Sequence, residues 1–462
     1  MTTGAQTQPP PPVTPTPDDA RRIRRLMLYF GMVYAVEGIG QTDGIIAQPL
    51  TYYFKEVHSW APVQVTAALT AFNLPWIIKP VYGLVSDFVP LFGYRRKSYL
   101  VLASILATGA YLLAAQMEAP SRLLFMLVLT AYAMAIASTL SGALLVENGQ
   151  RYSTSGVFVN QQWLWFHVSA LSSALIGGLL VQNLSPAGAL HGAALIAGIA
   201  SLMIAFGTWY LVDEEKRPID LPELKLAARR LLAAFRMRPL WIVALVLFLY
   251  WFSPGFNTPL YYHMTDNLHF SQGYIGLLGA ISSAGSICGG LVYRYYLAGL
   301  TSKRLLQLSV VLGTITTAAF VLLFNGVTAA ALHFCGGVSA MIALVATLTL
   351  AADYCPKHSE GFTFAVFMSI TNLASALGDN VGALLYQHAF GSRLTPLILV
   401  SAAFTALAWV LIPLLRLGDK PQGGCHRALI ASSVAGPTVR VQSAFSIHIA
   451  NDSRARTTVA SG

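Results

Sequence analysis

The sequence predicts an all-α integral membrane protein, with about twelve spans arranged as two six-helix halves in parallel repeat. Three observations carry this. Of 462 residues, 55% are hydrophobic and only 10% charged, against roughly 25% charged in soluble domains. Apolar stretches of bilayer-crossing length, about 20 residues each, recur along the whole chain. Short residue patterns also reappear in order, about half a chain apart.

The spans fall near 27–54, 62–86, 98–118, 122–146, 155–182, 188–212, 240–264, 271–298, 304–324, 326–352, 360–389 and 393–416. The first and eleventh are long enough to be tilted or broken. Helices are required, because lipid offers no water to satisfy an open backbone, and the alternation of a membrane β-barrel is absent. Residues 1–26 read as a disordered segment with a basic end. They lack the basic-then-apolar order of a signal peptide, and the first span is too long for one. The halves are then 27–212 and 240–416, joined by a basic linker at 213–239 and followed by a polar, disordered tail at 417–462.

Basic residues set the orientation. Arg21, Arg22, Arg24, Arg25, Arg95, Arg96, Lys97 and Arg151 lie on one side, with seven more in the central loop (Lys216, Arg217, Lys225, Arg229, Arg230, Arg236, Arg238) and Arg294, Lys303, Arg304 and Lys357 beyond it. The opposite loops hold only Lys55, Arg122 and Arg393. Nineteen against three predicts that both termini and the central loop are cytoplasmic, and a bacterial inner membrane is the simplest setting. The net charge of +10 is thus an orientation signal. A nucleic-acid partner would need those charges on one folded face, and here they are scattered over short loops. Cys288, Cys335, Cys355 and Cys425 show no paired spacing for a disulfide or metal. No nucleotide loop, metal motif or nucleophile–base pair is present, so neither an enzyme nor an ATP-driven pump is expected, and no cofactor.

The repeats are specific. Gln48-Pro49-Leu50-Thr51-Tyr52-Tyr53 returns as Thr258-Pro259-Leu260-Tyr261-Tyr262. Gly83-Leu84-Val85-Ser86-Asp87 returns as Gly290-Leu291-Val292-Tyr293-Arg294. Glu147 followed by Arg151 corresponds to Asp353 followed by Lys357. Three pairs in register imply duplicated halves.

Gly83, Asp87, Gly93, Arg95 and Arg96 form the first candidate site. Glycine allows helix 2 to approach a neighbour, while Asp87 can accept from Arg95 or Arg96 and from a helix N-terminus. Such pairs act as a latch when broken and remade. Glu147 with Arg151, and Asp353 with Lys357, are expected as gate ion pairs at helix ends.

Deeper residues are candidates for substrate or proton. Glu37 lies about 15 Å into helix 1 at 1.5 Å per residue. Asp43 follows in Gly38-Ile39-Gly40-Gln41-Thr42-Asp43-Gly44, where three glycines weaken the helix and Gln41 is a further candidate. Either acid can also simply pair with Lys79. Lys79 lies between Pro75 and Pro80 and either snorkels to the interface or faces a cavity opened by the bend. Asn160, Gln161 and His167 in helix 5, and Asn372, Asp379 and Asn380 in helix 11, complete the set, though a membrane asparagine often serves as interhelical glue. Tyr250, Trp251, Tyr261 and Tyr262 either stack on a planar ligand or serve as aromatic lining or an interface belt.

The Gly83…Asp87…Gly93…Arg95-Arg96-Lys97 loop resembles the G-x-x-x-D-R-x-G-R-R signature of the major facilitator superfamily. Phe88 replaces the basic residue after Asp87, and Val89-Pro90-Leu91 read as an insertion. Pro75-Trp76-x-x-Lys79-Pro80-x-Tyr82-Gly83-x-x-Ser86-Asp87 with Pro90-x-x-Gly93-Tyr94-Arg95-Arg96-Lys97-x-Tyr99-Leu100 is similar to the folate–biopterin transporter family of that superfamily. So are Tyr52-Tyr53-x-Lys55-Glu56, Cys355-Pro356-Lys357 with Glu360-Gly361, and Met368-Ser369-Ile370-x-Asn372. The resemblance implies a monomeric secondary transporter in the lipid bilayer, importing a folate or pterin-like solute with protons. A carboxylate from Glu37, Asp43 or Asp379 would accept from the pterin ring, and Lys79 would meet a folate's glutamate tail. An exporter of amphipathic compounds is the alternative within the fold.

Overall fold

The computed structural model describes residues 17–41, 43–152, 154–216, 238–354 and 360–414. Its helices group into twelve passes. Seven are continuous and apolar enough to cross a bilayer alone: Lys97–Ala114, Pro120–Gly149, Gln161–Asn183, Pro186–Leu211, Gln272–Leu297, Ser302–Leu322 and Gly326–Ala351. These are passes three to six and eight to ten. The starts follow local chemistry. Pro62 and Pro186 open helices where a missing N–H costs nothing. Ser185, Ser271 and Thr301 accept from the amides of Gly188, Tyr274 and Arg304 at 3.2, 3.2 and 3.3 Å, as N-caps should.

Passes one, two and seven are broken. The first runs as Pro17–Gly40 and resumes as Ala47–His58, so the glycine-weakened stretch does interrupt it. The carbonyls released at the break find partners: Tyr111 donates to Gly40 and Ser173 to Gly38, the latter at 3.2 Å. The helix also starts at Pro17, ten residues before the expected span, so residues 17–26 are helical rather than disordered. The second pass divides at Ile78 into Pro62–Ile77 and Lys79–Phe88. The seventh divides into Arg238–Trp251 and Asn257–Asp266. The Gln48-Pro49 and Thr258-Pro259 repeats both sit directly after a break.

Pass eleven is Glu360–Leu384 with a π-turn at Leu385–Ala389, and pass twelve is Leu394–Leu411. The first and last six passes meet mainly through two helix pairs, pass two against pass eleven and pass five against pass eight. At the latter, Gly178 and Gly276 face each other so closely that a Cβ on either would stand 2.7 Å from the other's Cα.

Candidate functional site

A cavity of about 300 Å³ lies at the centre, where the interrupted passes converge. Pass one gives Gln41 and Asp43 from its break, and pass two gives Thr70, Asn73 and Trp76. Pass seven gives Gly255, Asn257 and Thr258, and pass eleven gives Asn372 and Asp379. Each described lining residue comes from a pass outside the seven continuous apolar ones. Irregular backbone at membrane depth is tolerated only against protein or a watery cavity, and this cavity is where these breaks lie.

Proline chemistry builds one wall. Pro80 has no N–H, so the carbonyl of Trp76 four residues earlier loses its helical donor. Asn372 of pass eleven fills that place, donating Nδ2 to the Trp76 carbonyl at 3.1 Å. Asn380 one face along donates to Thr70 Oγ1 at 2.5 Å and to the Ala376 carbonyl at 2.8 Å, so it joins passes rather than facing a ligand. Asp379 lies against the break of pass seven, where a Cβ at Gly255 would overlap its Oδ1. The Gly255 amide bonds the Gly378 carbonyl at 3.0 Å. Only glycine permits that approach. Asp43 and Asp379 both open onto the cavity, and neither is hydrogen-bonded or ion-paired to a described residue.

A second polar group stands beside the cavity. Ser138 donates to Glu37 Oε1 at 2.8 Å, and Lys79 Nζ donates to Ser138 Oγ at 3.3 Å. Lys79 also stands 4.3 Å from the Trp76 ring centroid, a cation–π arrangement. Lys79 thus turns inward rather than snorkelling, and meets Glu37 through the serine. Glu37 is 8% exposed, and its Oε2 is buried without a hydrogen-bond partner among the described residues.

The latch residues assemble on the side of the chain termini. Asp87 Oδ1 accepts from Arg95 at 3.0 Å and from Arg96 at 3.1 Å, and Arg96 also donates to Glu147 at 2.6 Å. Three expectations change. The helix N-terminus is capped not by Asp87 but by Glu214, which accepts from the amides of Arg95, Arg96 and Lys97 at 2.8–3.2 Å. Glu147 reaches Arg96 across passes rather than Arg151 one turn on; Arg151 lies over the Tyr152 ring. Gly83 does not mark a tight crossing, since a Cβ there would meet only Thr139 Cγ2 at 3.9 Å. Gly93 is needed for its turn, with φ +86°. The side chain of Asp353, and Lys357 entirely, lie outside the described residues, as does that of Asn160.

On the opposite side, passes one and two are tied to passes seven, eight and eleven. Gln48 donates to the Gln272 carbonyl at 2.8 Å and to its Oε1 at 3.0 Å. Lys55 donates to Thr265 at 2.6 Å and pairs with Asp266. Tyr262 donates to the Trp60 carbonyl, and Val63 to Gln387 at 3.4 Å. No hydrogen bond or ion pair between described residues crosses the halves on the terminus side. The pass-seven aromatics therefore do not face the cavity. Tyr250 bonds Ser309, Tyr261 bonds Gln272, and Tyr262 belongs to this seam. The cavity's aromatic face is Trp76, a motif residue whose role sequence reasoning missed. Gln161 accepts from Trp165 at 2.6 Å, and His167 stacks on Trp163 with centroids 5.9 Å apart; neither lines the cavity.

Two six-pass halves enclosing a polar cavity between them define a secondary transporter of major facilitator type. Solved structures bear out the fold. The D-xylose–proton symporter superposes with a TM-score of 0.67 at 14% identity, covering 85% of this chain and 97% of its own. The nucleoside transporter NupG gives 0.64 at 13%, covering 86% and 100%. The chain belongs to the BT1 family, whose pattern matches residues 39–417. Among relatives, the folate-biopterin transporter of Synechocystis sp. is 28% identical, over 84% of this chain and 81% of its own. Folate transporter 2 of Plasmodium falciparum is 25% identical, over 82% and 86%.

Proposed function

We propose that this protein imports a pterin or folate-type solute by alternating access, with protons as the driving ion. The observation that carries the reading is the cavity where three broken passes meet pass eleven, with two carboxylates turned into it that no described residue pairs. A carboxylate can accept two adjacent N–H donors at once, which is what a pterin ring presents, and Trp76 offers the flat ring an aromatic face. The names of the BT1 relatives point the same way. Glu37, beside Ser138 and Lys79, is the proposed proton carrier, as an ionisable residue at membrane depth warrants. The basic loops support cytoplasmic termini. We take the working unit to be a monomer, each chain holding one complete cavity. The polar lining counts against an exporter of amphipathic compounds.

The test is uptake into proteoliposomes of labelled biopterin and folic acid, with and without an inward proton gradient. Accumulation of one of them that rises with the gradient and collapses with a protonophore is expected. Uptake of some other solute, with neither of these carried, would contradict the assignment.

A further inference from the structure

The charges around the cavity are one-sided. Its described lining contains two carboxylates, Asp43 and Asp379, and no lysine, arginine or histidine. The nearby cations are engaged elsewhere. Lys79 is held by Ser138 and the Trp76 ring, Lys55 by Asp266 and Thr265 in the far seam, and Arg95 and Arg96 by Asp87 and Glu147. The cavity is also small. About 300 Å³ is the lower end of the range for small-molecule sites.

We propose that Asp43 and Asp379 make this cavity selective for unconjugated pterin-type heterocycles and reject, by charge, conjugates that carry a glutamate tail. The inference rests on the pterin-or-folate reading and narrows it. A neutral bicyclic ring brings N–H donors to acceptors that have none, satisfying both partners. A glutamate tail brings two negative charges into a site lined by two carboxyl groups, with no basic residue in its described lining to accept them. Like charges repel far more strongly in such a medium than in water, and burying an unpaired anion is costly in itself.

Competition for labelled biopterin uptake in proteoliposomes tests this, using unlabelled biopterin, folic acid and folic acid dimethyl ester. Folic acid is expected to compete at least tenfold more weakly than biopterin, and the ester to recover most of that loss. In Asp43→Asn and Asp379→Asn the folic acid to biopterin ratio narrows, whatever happens to the absolute rates. Equal competition by folic acid overturns the inference, as does an ester no better than the acid, which would make size the cause, or a ratio unchanged in both variants. If folic acid is carried and biopterin is not, the charge filter fails while the pterin-or-folate reading stands. If neither is carried, both fall.

Discussion

The carboxylates of the terminus-side cluster and those of the cavity are the same functional group put to opposite uses. At the cluster every acid is answered. Asp87 receives two guanidinium groups, Glu147 shares one of them, and Glu214 caps three amides. In the cavity, Asp43 and Asp379 receive nothing from the described residues. Acids inside a membrane are expensive. Where the protein answers them itself, they hold one conformation of the passes together. Where it leaves them open, something from outside completes the site.

The comparison can be broken at either end. The largest effect is expected from Asp379→Ala, which removes an acceptor and opens space beside Gly255. Biopterin affinity should fall roughly 10- to 100-fold, about 1.5–3 kcal/mol for a hydrogen bond to a charged group, as read by equilibrium binding. Arg96→Met comes next. It leaves Asp87 with Arg95 alone and Glu147 without a partner, and should slow net uptake about tenfold, near 1.4 kcal/mol, while binding stays close to wild type. Glu37→Gln should leave counterflow exchange in place and remove stimulation by a proton gradient; gradient-driven accumulation at the wild-type level would exclude Glu37 as the carrier. The smallest effect belongs to Lys55→Met, because partly exposed pairs contribute below about 1 kcal/mol. It should raise labelling of a cysteine placed at Thr265 by a membrane-impermeant reagent, with little change in affinity.

The fold was legible because hydropathy, basic loops and duplicated segments all reflect the bilayer directly. Two of the three breaks were legible too: Gly38–Gly44 and the Pro75–Pro80 bracket mark where helices part, whereas the break of pass seven after Trp251 carried no sign that was read. The start at Pro17 was not, since Asp18 to Arg25 form a charged helix that a search for apolar spans passes over. Of the cavity, Gln41, Asp43, Asn372 and Asp379 were reachable, because acids and amides are rare in spans. Thr70, Asn73 and Asn257 were not, since a neutral polar residue in a span carries no sign of which neighbour it faces. The same gap left the pass-seven tyrosines undecided between a stacking surface and an interface belt, since their spacing gives a helix face but not its partner. Glu147 shows the limit of local rules: Arg151 is the neighbour by helical spacing, yet tertiary packing delivers Arg96. The missing N–H of Pro80 was the signal that could have found Trp76 and Asn372 together.

Equilibrium binding of biopterin to purified wild type, Asp43→Asn, Asp379→Asn and Asp87→Asn, set beside their uptake rates, tests the central claim most directly. The cavity variants should weaken binding and uptake together, by the same factor, while Asp87→Asn loses uptake and keeps binding. Wild-type affinity in both cavity variants, with binding abolished by Asp87→Asn, would contradict the assignment of the central cavity as the substrate site.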